Sequence, residues 1–304
     1  MKILLLGAYG QVGWELQRSL AVLGDVIALG SSPSPDATGL CGDLGNLEGL
    51  ANTVRTLAPQ VIVNAAAYTA VDRAESESDR ARLINALAPG VLAAEAQRLG
   101  AWMVHYSTDY VFDGSGHNPW KEEDDCAPLS VYGRTKWEGE LAIAACSNHL
   151  IFRTSWVFAA RGANFAKTML RLAAERDSLT VIDDQIGAPT PAELLADVTS
   201  LALRDAMCSP SLAGTYHCTA HGQTSWREYA QFVLSQAREI GLPLKAGPDQ
   251  VLATTTAHYP TPAKRPLNSR LNTEKLCSTF SLHLPHWQIG VRRMLQETIG
   301  PKPP

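Results

Sequence analysis

The chain opens with an apolar segment, Ile3–Leu6, that runs directly into Gly7, Gly10 and Gly13, and a helical pattern of apolar residues follows. In a strand–turn–helix unit the first glycine allows a sharp turn and the second lets backbone approach a pyrophosphate. The third lets the helix pack closely on the strand. The anion would then lie at the helix N-terminus. The pattern predicts a dinucleotide-binding unit, although its Gly-x-x-Gly-x-x-Gly spacing leaves an ordinary glycine turn open as the alternative.

Apolar runs alternate with helical patterns through the first half of the chain. Strands are predicted at Val26–Leu29, Val61–Ala67, Trp102–Ser107 and Leu150–Thr154, and helices at Leu47–Leu57, Ala81–Leu99 and Val131–Ala145. Such alternation produces βαβ units, and strands that are apolar throughout suit a parallel sheet covered on both faces. We therefore predict an α/β fold with a doubly wound parallel sheet, the Rossmann arrangement.

The alternation loosens after about Phe158, where helices predominate. They are predicted at Ala163–Glu175, Ala192–Arg204 and Trp226–Gly241. We expect a nucleotide-binding Rossmann domain over residues 1–157. A smaller C-terminal domain over residues 158–304 is expected to be mainly substrate-binding, with some segments that can return to the Rossmann sheet. The terminal Pro-Lys-Pro-Pro is expected to be loose.

The composition is that of an ordinary globular enzyme: 304 residues, 45% hydrophobic and 18% charged, with a net charge of −4. The negative charge argues against a nucleic-acid groove, and no segment approaches the ~20 apolar residues of a membrane span. The initial apolar segment is too short for a secretory signal, so we expect a cytoplasmic protein. The six cysteines show no Cys-x-x-Cys spacing and are expected to be reduced.

Tyr132 and Lys136 lie four residues apart in a predicted helix and therefore share one face. A phenol releases its proton poorly at neutral pH because its ordinary pKa is ~10. An ammonium group one turn away would favour the phenolate and draw that pKa toward neutrality, which makes the pair a usable acid. The spacing alone also fits a surface lysine packed over an aromatic ring.

Polar and small residues collect where two of the predicted strands end, which is where open α/β sheets bind ligands. The run Asn64–Thr69 is rich in alanine and would let a flat ring lie against the backbone, although an alanine-rich helix start is the alternative. Ser107 and Thr108 place hydroxyls at the tip of another strand, before Tyr132 in the chain. These hydroxyls, the phenol of Tyr132 and the amine of Lys136 would then form one polar site.

Motifs along nearly the whole chain resemble those of the extended short-chain dehydrogenases/reductases. The matching runs are Gly7–Glu15, Cys41–Asp43, Asn64–Glu75, Ser107–Asp113, Val131–Lys136, Phe152–Val157, Asn164–Met169, Gln185–Thr190 and Arg265–Leu271. The resemblance implies reduction of the 4-keto group of dTDP-4-dehydro-L-rhamnose to dTDP-L-rhamnose, with hydride from C4 of a nicotinamide. The product would supply the synthesis of cell-wall polysaccharide or lipopolysaccharide.

The resemblance also implies roles for individual residues. Tyr132 would donate the proton, Thr108 would hydrogen-bond the ketone oxygen, and Lys136 would lower the tyrosine pKa and hold the nicotinamide ribose. Asp43 would meet the adenine amino group, and Asn164 and Arg265 would hold the substrate diphosphate. The implied cofactor positions are Gly7, Gly10, Gln11, Val12, Gly13, Gly30, Asp43, Leu44, Ala66, Ala67, Tyr68, Tyr106, Tyr132 and Lys136. The implied substrate positions are Thr69, Val71, Thr108, Asp109, Trp156, Asn164 and Arg265.

The preferred nicotinamide is only partly readable from the sequence. Gly30 and the serines after it offer neither an acid for a free ribose 2′-hydroxyl nor an arginine for a 2′-phosphate. The resemblance favours NADPH, with NADH also accepted. It further implies a homodimer with Mg²⁺ at the interface, held by Glu15 and Glu193. Two ordinary exposed helix glutamates explain those positions equally well.

Two other functions remain open. A nucleotide-sugar epimerase or dehydratase would share the fold, but dehydratase chemistry requires acid and base carboxylates directly after Thr108. Only Asp109 follows, and then Tyr110. A non-catalytic regulatory subunit on the same fold is the second alternative, against which the intact Thr108, Tyr132 and Lys136 count.

Overall fold

The computed structural model describes residues 1–32 and 39–300; the terminal proline-rich segment, predicted to be loose, lies outside the described residues. Its strands are β1 Lys2–Leu6, β2 Asp25–Leu29, β3 Val61–Asn64, β4 Trp102–Thr108, β5 His149–Thr154, β6 Val157–Phe158, β7 Leu179–Ile182, β8 Ile186–Gly187, β9 Thr190–Pro191, β10 Gly214–His217, β11 Thr224–Ser225 and β12 Val251–Thr254. Six of them form one parallel sheet in the order β10-β5-β4-β3-β1-β2. The predicted doubly wound α/β fold is thereby confirmed.

Helices cover both faces of this sheet. The α-helices of the described residues are α1 Gln11–Ala21, α2 Leu47–Leu57, α3 Val71–Ala74, α4 Ser78–Arg82, α5 Ala88–Leu99, α6 Val131–Ala144, α7 Phe165–Glu175, α8 Ala192–Cys208, α9 Trp226–Glu239, α10 Glu274–Phe280 and α11 Trp287–Ile299. Helices α1 and α8 pack on one face, and α2, α5 and α6 pack on the other. The central strands are buried and mostly apolar, and their polar residues, such as Asn64, Ser107 and Thr108, lie toward their carboxyl ends.

Two elements of the C-terminal half contribute to the sheet layers. Strand β10 pairs in parallel with β5 at the edge of the sheet, and α8 packs against α1. A second apolar core joins α7, α9 and α11 to the small strands β7 and β12. Within the described part of the chain, no helix is long and apolar enough to cross a membrane.

The predicted helix over residues 81–99 contains an irregular turn. Residues 83–87 form a π-helical turn between α4 and α5, closed by the N–H of Ala88 on the carbonyl of Leu83. Pro89 has no N–H to give to the carbonyl of Asn85, so the α pattern of hydrogen bonds cannot pass through this point. The predicted strand over residues 61–67 is also shorter, because it ends at Asn64.

Candidate active site

A cleft of about 910 Å³ opens along the carboxyl edge of the sheet. Its floor contains the residues that follow β1, β2 and β3 and the last residues of β4 and β5, as expected for an open α/β sheet. Most of the predicted cofactor positions line it, together with the predicted substrate residue Thr69. They are Gly7, Gly10, Gln11, Val12, Gly30, Asp43, Leu44, Ala66, Ala67, Tyr106, Tyr132 and Lys136.

The three glycines of the first turn serve different geometric needs. Gly7 has a φ of +81°, a conformation that other residues rarely adopt. Gly13 is buried under the loop, and a Cβ there would lie 2.0 Å from the carbonyl oxygen of Gly7. A Cβ at Gly10 would meet nothing closer than 3.4 Å, so the protein itself does not require glycine at this position. Space for a ligand beside Gly10 is the remaining reason for glycine there.

Three residues that line the cleft each carry a buried polar atom without a hydrogen-bond partner among the described residues. These atoms are Oε1 of Gln11, Oγ of Ser107 and Oγ1 of Thr154. A buried polar atom without a partner costs about 1–3 kcal/mol, so native proteins rarely leave one unsatisfied. Unpaired buried polar atoms of this kind are typical of a site that a polar ligand completes.

Tyr132 lies in the first turn of α6, which Ser130 caps by accepting a hydrogen bond from the N–H of Gly133 at 3.1 Å. Its ring packs edge-on against Tyr110, with 5.5 Å between the ring centroids. The pKa of Tyr132 is raised to about 12 because burial disfavours the phenolate. The Thr108 hydroxyl opposes this shift, and the Asp109 carboxyl adds to it.

The amine of Lys136 contacts residues of β4. Its Nζ donates to the carbonyl of Tyr106 at 2.6 Å and lies 2.9 Å from Nε2 of His105. The pKa of Lys136 is lowered to about 8, because burial disfavours the ammonium more than the nearby Glu140 favours it. Burial raises the pKa of Tyr132 in this structure, so a lowering of that pKa by Lys136 stays a prediction.

Thr108 and Asp109 form a buried pair at the end of β4. The Thr108 hydroxyl donates to Oδ1 of Asp109 and accepts from the N–H of Tyr110, both at 3.2 Å. The pKa of Asp109 is raised to about 7, because burial outweighs the hydrogen bonds from Ser269 and Thr108. Its Oδ2 has no partner among the described residues.

Trp156 stacks on an aromatic side chain of the C-terminal half. Its ring lies on that of Trp226, with 3.7 Å between the centroids and 14° between the planes. Its φ is +50°, and the backbone of Gly187 approaches so closely that a Cβ there would be 2.7 Å from the indole. Trp156 is absent from the cleft lining, and so are Tyr68, Val71, Thr108, Asp109, Asn164, Arg265 and the buried Gly13.

Asn164 and Arg265, the predicted diphosphate contacts, are both engaged within the chain. Asn164 caps α7 by accepting from the N–H of Lys167 at 3.0 Å and donates to the carbonyl of Ala159 at 2.7 Å. Both ends of its amide are therefore used. Arg265 forms a two-point ion pair with Asp72 at 3.0 and 2.8 Å. Their contact with a diphosphate stays a prediction.

Tyr68 and Val71 border the approach to the cleft. The Tyr68 hydroxyl donates to Glu77 at 2.8 Å, and its N–H donates to Oδ1 of Asn85 at the same distance. Val71 begins α3 and is half-buried. Neither position touches the described cleft, so the cofactor role of Tyr68 and the substrate role of Val71 also stay predictions.

Glu15 and Glu193, the predicted metal ligands, border one small pocket together with Glu297. Burial raises the pKa of Glu193, the nearby Arg293 opposes the shift, and Glu297 and Glu15 add to it. Arg293 lies 3.3 Å from Glu193 and 3.1 Å from Glu297. Residues 1–32 and 39–300 contain no group of three or more side chains spaced to hold a metal ion.

The cleft also contains cationic residues that the sequence analysis did not identify. Arg80 lines it from α4, and Arg161 lines it from the loop after β6, where it lies 4.0 Å above the Trp14 ring. The neighbouring Gly162 would place a Cβ 3.5 Å from the side chain of Gln11. Neither arginine belongs to a recognisable motif. The packing of distant segments places both of them at the cleft, and local sequence carries no signal for that.

Comparison with known proteins identifies the family. A model described as "RmlD substrate binding domain" matches residues 1–299. The chain belongs to this family. A dTDP-4-dehydrorhamnose reductase of Escherichia coli (strain K12) is 57% identical over 298 residues, covering 98% of both chains. The resemblance found in the sequence motifs is confirmed.

Solved structures of related proteins share the whole architecture. A dTDP-4-dehydrorhamnose reductase of Clostridium acetobutylicum is 36% identical, with a TM-score of 0.86 and coverage of 97% of this chain and 99% of that one. The corresponding Bacillus anthracis protein, solved in complex with NADP, is 33% identical with a TM-score of 0.85 and coverage of 98% and 99%. The sheet, the helical layers and the C-terminal region are therefore those of this family.

Proposed function

We propose that the protein reduces dTDP-4-dehydro-L-rhamnose to dTDP-L-rhamnose with hydride from NAD(P)H, the final step of dTDP-L-rhamnose synthesis. The observation that carries the proposal is the 57% identity, over nearly the full length of both chains, with a relative named for this reaction. The cleft supports the chemistry, because the glycine loop, Tyr132 and Lys136 all line it.

The cofactor residues fit a dinucleotide. The pyrophosphate would lie at the N-terminus of α1 beside Gly10, where backbone N–H groups and the helix dipole favour an anion. The unpaired atoms of Gln11, Ser107 and Thr154 would be satisfied by polar groups of the ligand. Bound NAD(P)H supplies the hydride. A relative solved with NADP supports NADPH as the first choice, with NADH as the second.

The proton would come from Tyr132. A phenol with a raised pKa keeps its proton at neutral pH, which suits a residue that must act as an acid when the ketone becomes an alkoxide. Thr108 would hydrogen-bond the same oxygen, and Lys136 would hold the ribose hydroxyls next to it. General acid catalysis of this kind is typically worth ~10²–10⁴-fold in rate.

The sugar nucleotide would enter beside the nicotinamide half of the cleft. Asp109, Thr69 and Val71 would face the sugar, and Trp156 would offer an aromatic surface. Arg265 suits the diphosphate because its planar guanidinium presents paired donors. Its ion pair with Asp72 means that the diphosphate would compete with this carboxylate. Residues 1–157 would then serve mainly the cofactor and residues 158–304 mainly the substrate.

One assay separates the proposed reaction from its alternatives. The purified protein is mixed with NADPH and dTDP-4-dehydrorhamnose, and the absorbance of NADPH is followed. A reductase consumes NADPH in proportion to substrate, whereas an epimerase or dehydratase returns its hydride and gives no net loss. A regulatory subunit gives neither absorbance change nor product. The Tyr132→Phe variant is the matched control, because it removes only the phenolic proton donor.

We further propose a homodimer with Mg²⁺ at its interface near Glu15 and Glu193. Clustered carboxylates repel unless a cation or protons compensate them. In one chain Arg293 and Arg18 already offset this charge, so the metal would need carboxylates from a second chain. Sedimentation with and without excess EDTA tests this. Chelation should weaken the dimer and spare single-turnover reduction, whereas an unchanged dimer would leave both glutamates as ordinary surface residues.

A further inference from the structure

Arg161 reaches the cleft from the segment that joins β6 to α7. Its guanidinium carbon lies 4.0 Å from the centroid of the Trp14 ring on α1, which is a close cation–π contact. The ion pairs found among the described residues do not include Arg161, whose side chain is exposed. No carboxylate of this part of the chain therefore competes with a ligand for its guanidinium.

Hydrogen bonds hold the backbone on both sides of Arg161. The ammonium of Lys167 donates to the carbonyls of Ala160 and Gly162, and the bond to Gly162 measures 2.9 Å. Gly162 has a φ of +76°, which turns the chain directly after Arg161. The arginine is thus presented from a backbone that is fixed before a ligand binds.

This segment lies against the first turn of α1. A Cβ at Gly162 would be 3.5 Å from the side chain of Gln11, the first residue of α1. Trp14 lies about one turn further along the helix, where its N–H donates to the carbonyl of Gly10 at 2.9 Å. Arg161, stacked on Trp14, is therefore held beside the N-terminus of α1.

The order of the strands places this point in the middle of the cleft. Strand β1, which leads into α1, lies between β2 and β4 in the sheet. Asp43 lines the cleft from the segment after β2, and Lys136 contacts β4 at the other end. A dinucleotide with its adenosine toward Asp43 and its nicotinamide toward Lys136 would have its pyrophosphate at the start of α1, beside Arg161.

We propose that Arg161 binds the pyrophosphate of the nicotinamide cofactor and that Trp14 is the positioning residue that holds the guanidinium there. The identity of the cofactor rests on the reductase function proposed above. The N-cap of α1, Gly10, provides no side-chain cap, so the first N–H groups of the helix would face the pyrophosphate from one side. The guanidinium would face it from the other side, and its paired donors match two phosphate oxygens.

Trp14 would act by restricting Arg161 in advance. An exposed arginine loses much of its rotamer freedom when it binds a ligand, and a guanidinium already stacked on a ring has less of that freedom to lose. Trp14 is not among the residues that line the cleft, so its effect on the cofactor must pass through Arg161. The effect of Trp14 on affinity should therefore disappear once Arg161 is replaced.

The Arg161→Gln variant tests the contact by fluorescence titration with NADPH and with NADH, without sugar nucleotide. We expect both values of Kd to rise about tenfold or more, since both cofactors contain the same pyrophosphate. Arg161→Lys should recover part of the loss, because it restores the charge without the paired donors. Arg292→Gln is the matched control: this exposed arginine lies 5.2 Å over the Phe232 ring, outside the cleft, and both values should stay unchanged.

Three ligands separate the contacts that Arg161 could make. Binding of dTDP, which carries the diphosphate of the substrate, should be unchanged in Arg161→Gln. A loss of affinity for NADPH but not for NADH would assign the arginine to the 2′-phosphate, and a loss for dTDP alone would assign it to the substrate. Either result would overturn the proposal, and so would unchanged binding of all three ligands.

Trp14→Leu tests the positioning role, because it removes the aromatic face and keeps an apolar side chain on α1. Trp14 is 45% exposed, so the fold should tolerate the change. We expect the Kd for NADPH to rise about two- to fivefold, and to rise no further when the change is made in Arg161→Gln. Equal effects in both backgrounds would mean that Trp14 supports α1 itself and would overturn its positioning role.

These binding measurements do not depend on turnover. A protein whose NADPH affinity depends on Arg161 in this way, but which does not oxidise NADPH when dTDP-4-dehydrorhamnose is added, would refute the proposed reaction alone. A protein that carries out the reaction with an Arg161→Gln variant of unaltered affinity for both cofactors would refute the pyrophosphate contact alone.

Discussion

Alanine at Gly10 and at Gly13 should damage the protein in different ways. A Cβ at Gly13 would lie 2.0 Å from the carbonyl oxygen and 2.7 Å from the carbonyl carbon of Gly7. Both are backbone atoms, so no side chain can rotate away and the glycine loop itself must move. A Cβ at Gly10 meets only that carbonyl oxygen, at 3.4 Å, and its φ of −72° suits alanine.

The expected magnitudes follow from these distances. Overpacking of this kind costs about 1–3 kcal/mol, and the better helix propensity of alanine returns up to about 1 kcal/mol. Because the clash at Gly13 is with backbone atoms, its cost should lie at the upper end of that range. Gly13→Ala should therefore lower the free energy of unfolding by about 2–3 kcal/mol and weaken NADPH binding as the loop shifts. Gly10→Ala should change stability by about 1 kcal/mol or less while weakening NADPH binding about tenfold or more.

Thermal unfolding and a fluorescence titration with NADPH measure the two effects separately. Gly100→Ala is the control: this residue ends α5 with a φ of +65° and open space around it, away from the glycine loop. It should cost some stability through backbone strain and leave NADPH binding unchanged. Unaltered stability in Gly13→Ala would refute the steric argument. Normal NADPH affinity in Gly10→Ala would show that the pyrophosphate does not approach this residue.

Three further substitutions test the site and its support. Tyr132→Phe should keep the fold and NADPH binding but lower turnover by ~10²–10⁴-fold, and near-normal turnover would remove the tyrosine from the mechanism. Glu140→Gln would leave the guanidinium of Arg153 buried without its counter-ion, so denaturant unfolding should show a loss of about 3–5 kcal/mol in the free energy of unfolding. A loss below about 1 kcal/mol would mean that water solvates the guanidinium charge. Asp72→Asn removes the carboxylate that competes for Arg265, so the KM for the sugar nucleotide should fall while that for NADPH stays constant. A rise in the sugar-nucleotide KM would mean instead that Asp72 orients the arginine.

The sequence predicted the features that depend on local pattern. The glycine turn followed by a helix, the apolar strands and their alternation with helices were sufficient for the parallel sheet, because each depends on spacing within a few residues. The prediction that Tyr132 and Lys136 share one helix face also rests on spacing within a few residues. The carboxyl-edge rule then brought residues after several strands into one predicted site, since parallel strands end at the same edge.

The tertiary structure alone decided which partner each polar group meets. Lys136 lies four residues from Tyr132 in the sequence, yet its amine bonds to His105 and Tyr106 on a strand beneath the helix. Arg265 pairs with Asp72, which lies 193 residues earlier in the chain. These contacts are set by how distant elements pack, and burial then shifts the pKa values of the groups enclosed. The spacing of residues along the sequence predicts neither these long-range contacts nor the pKa shifts that burial causes.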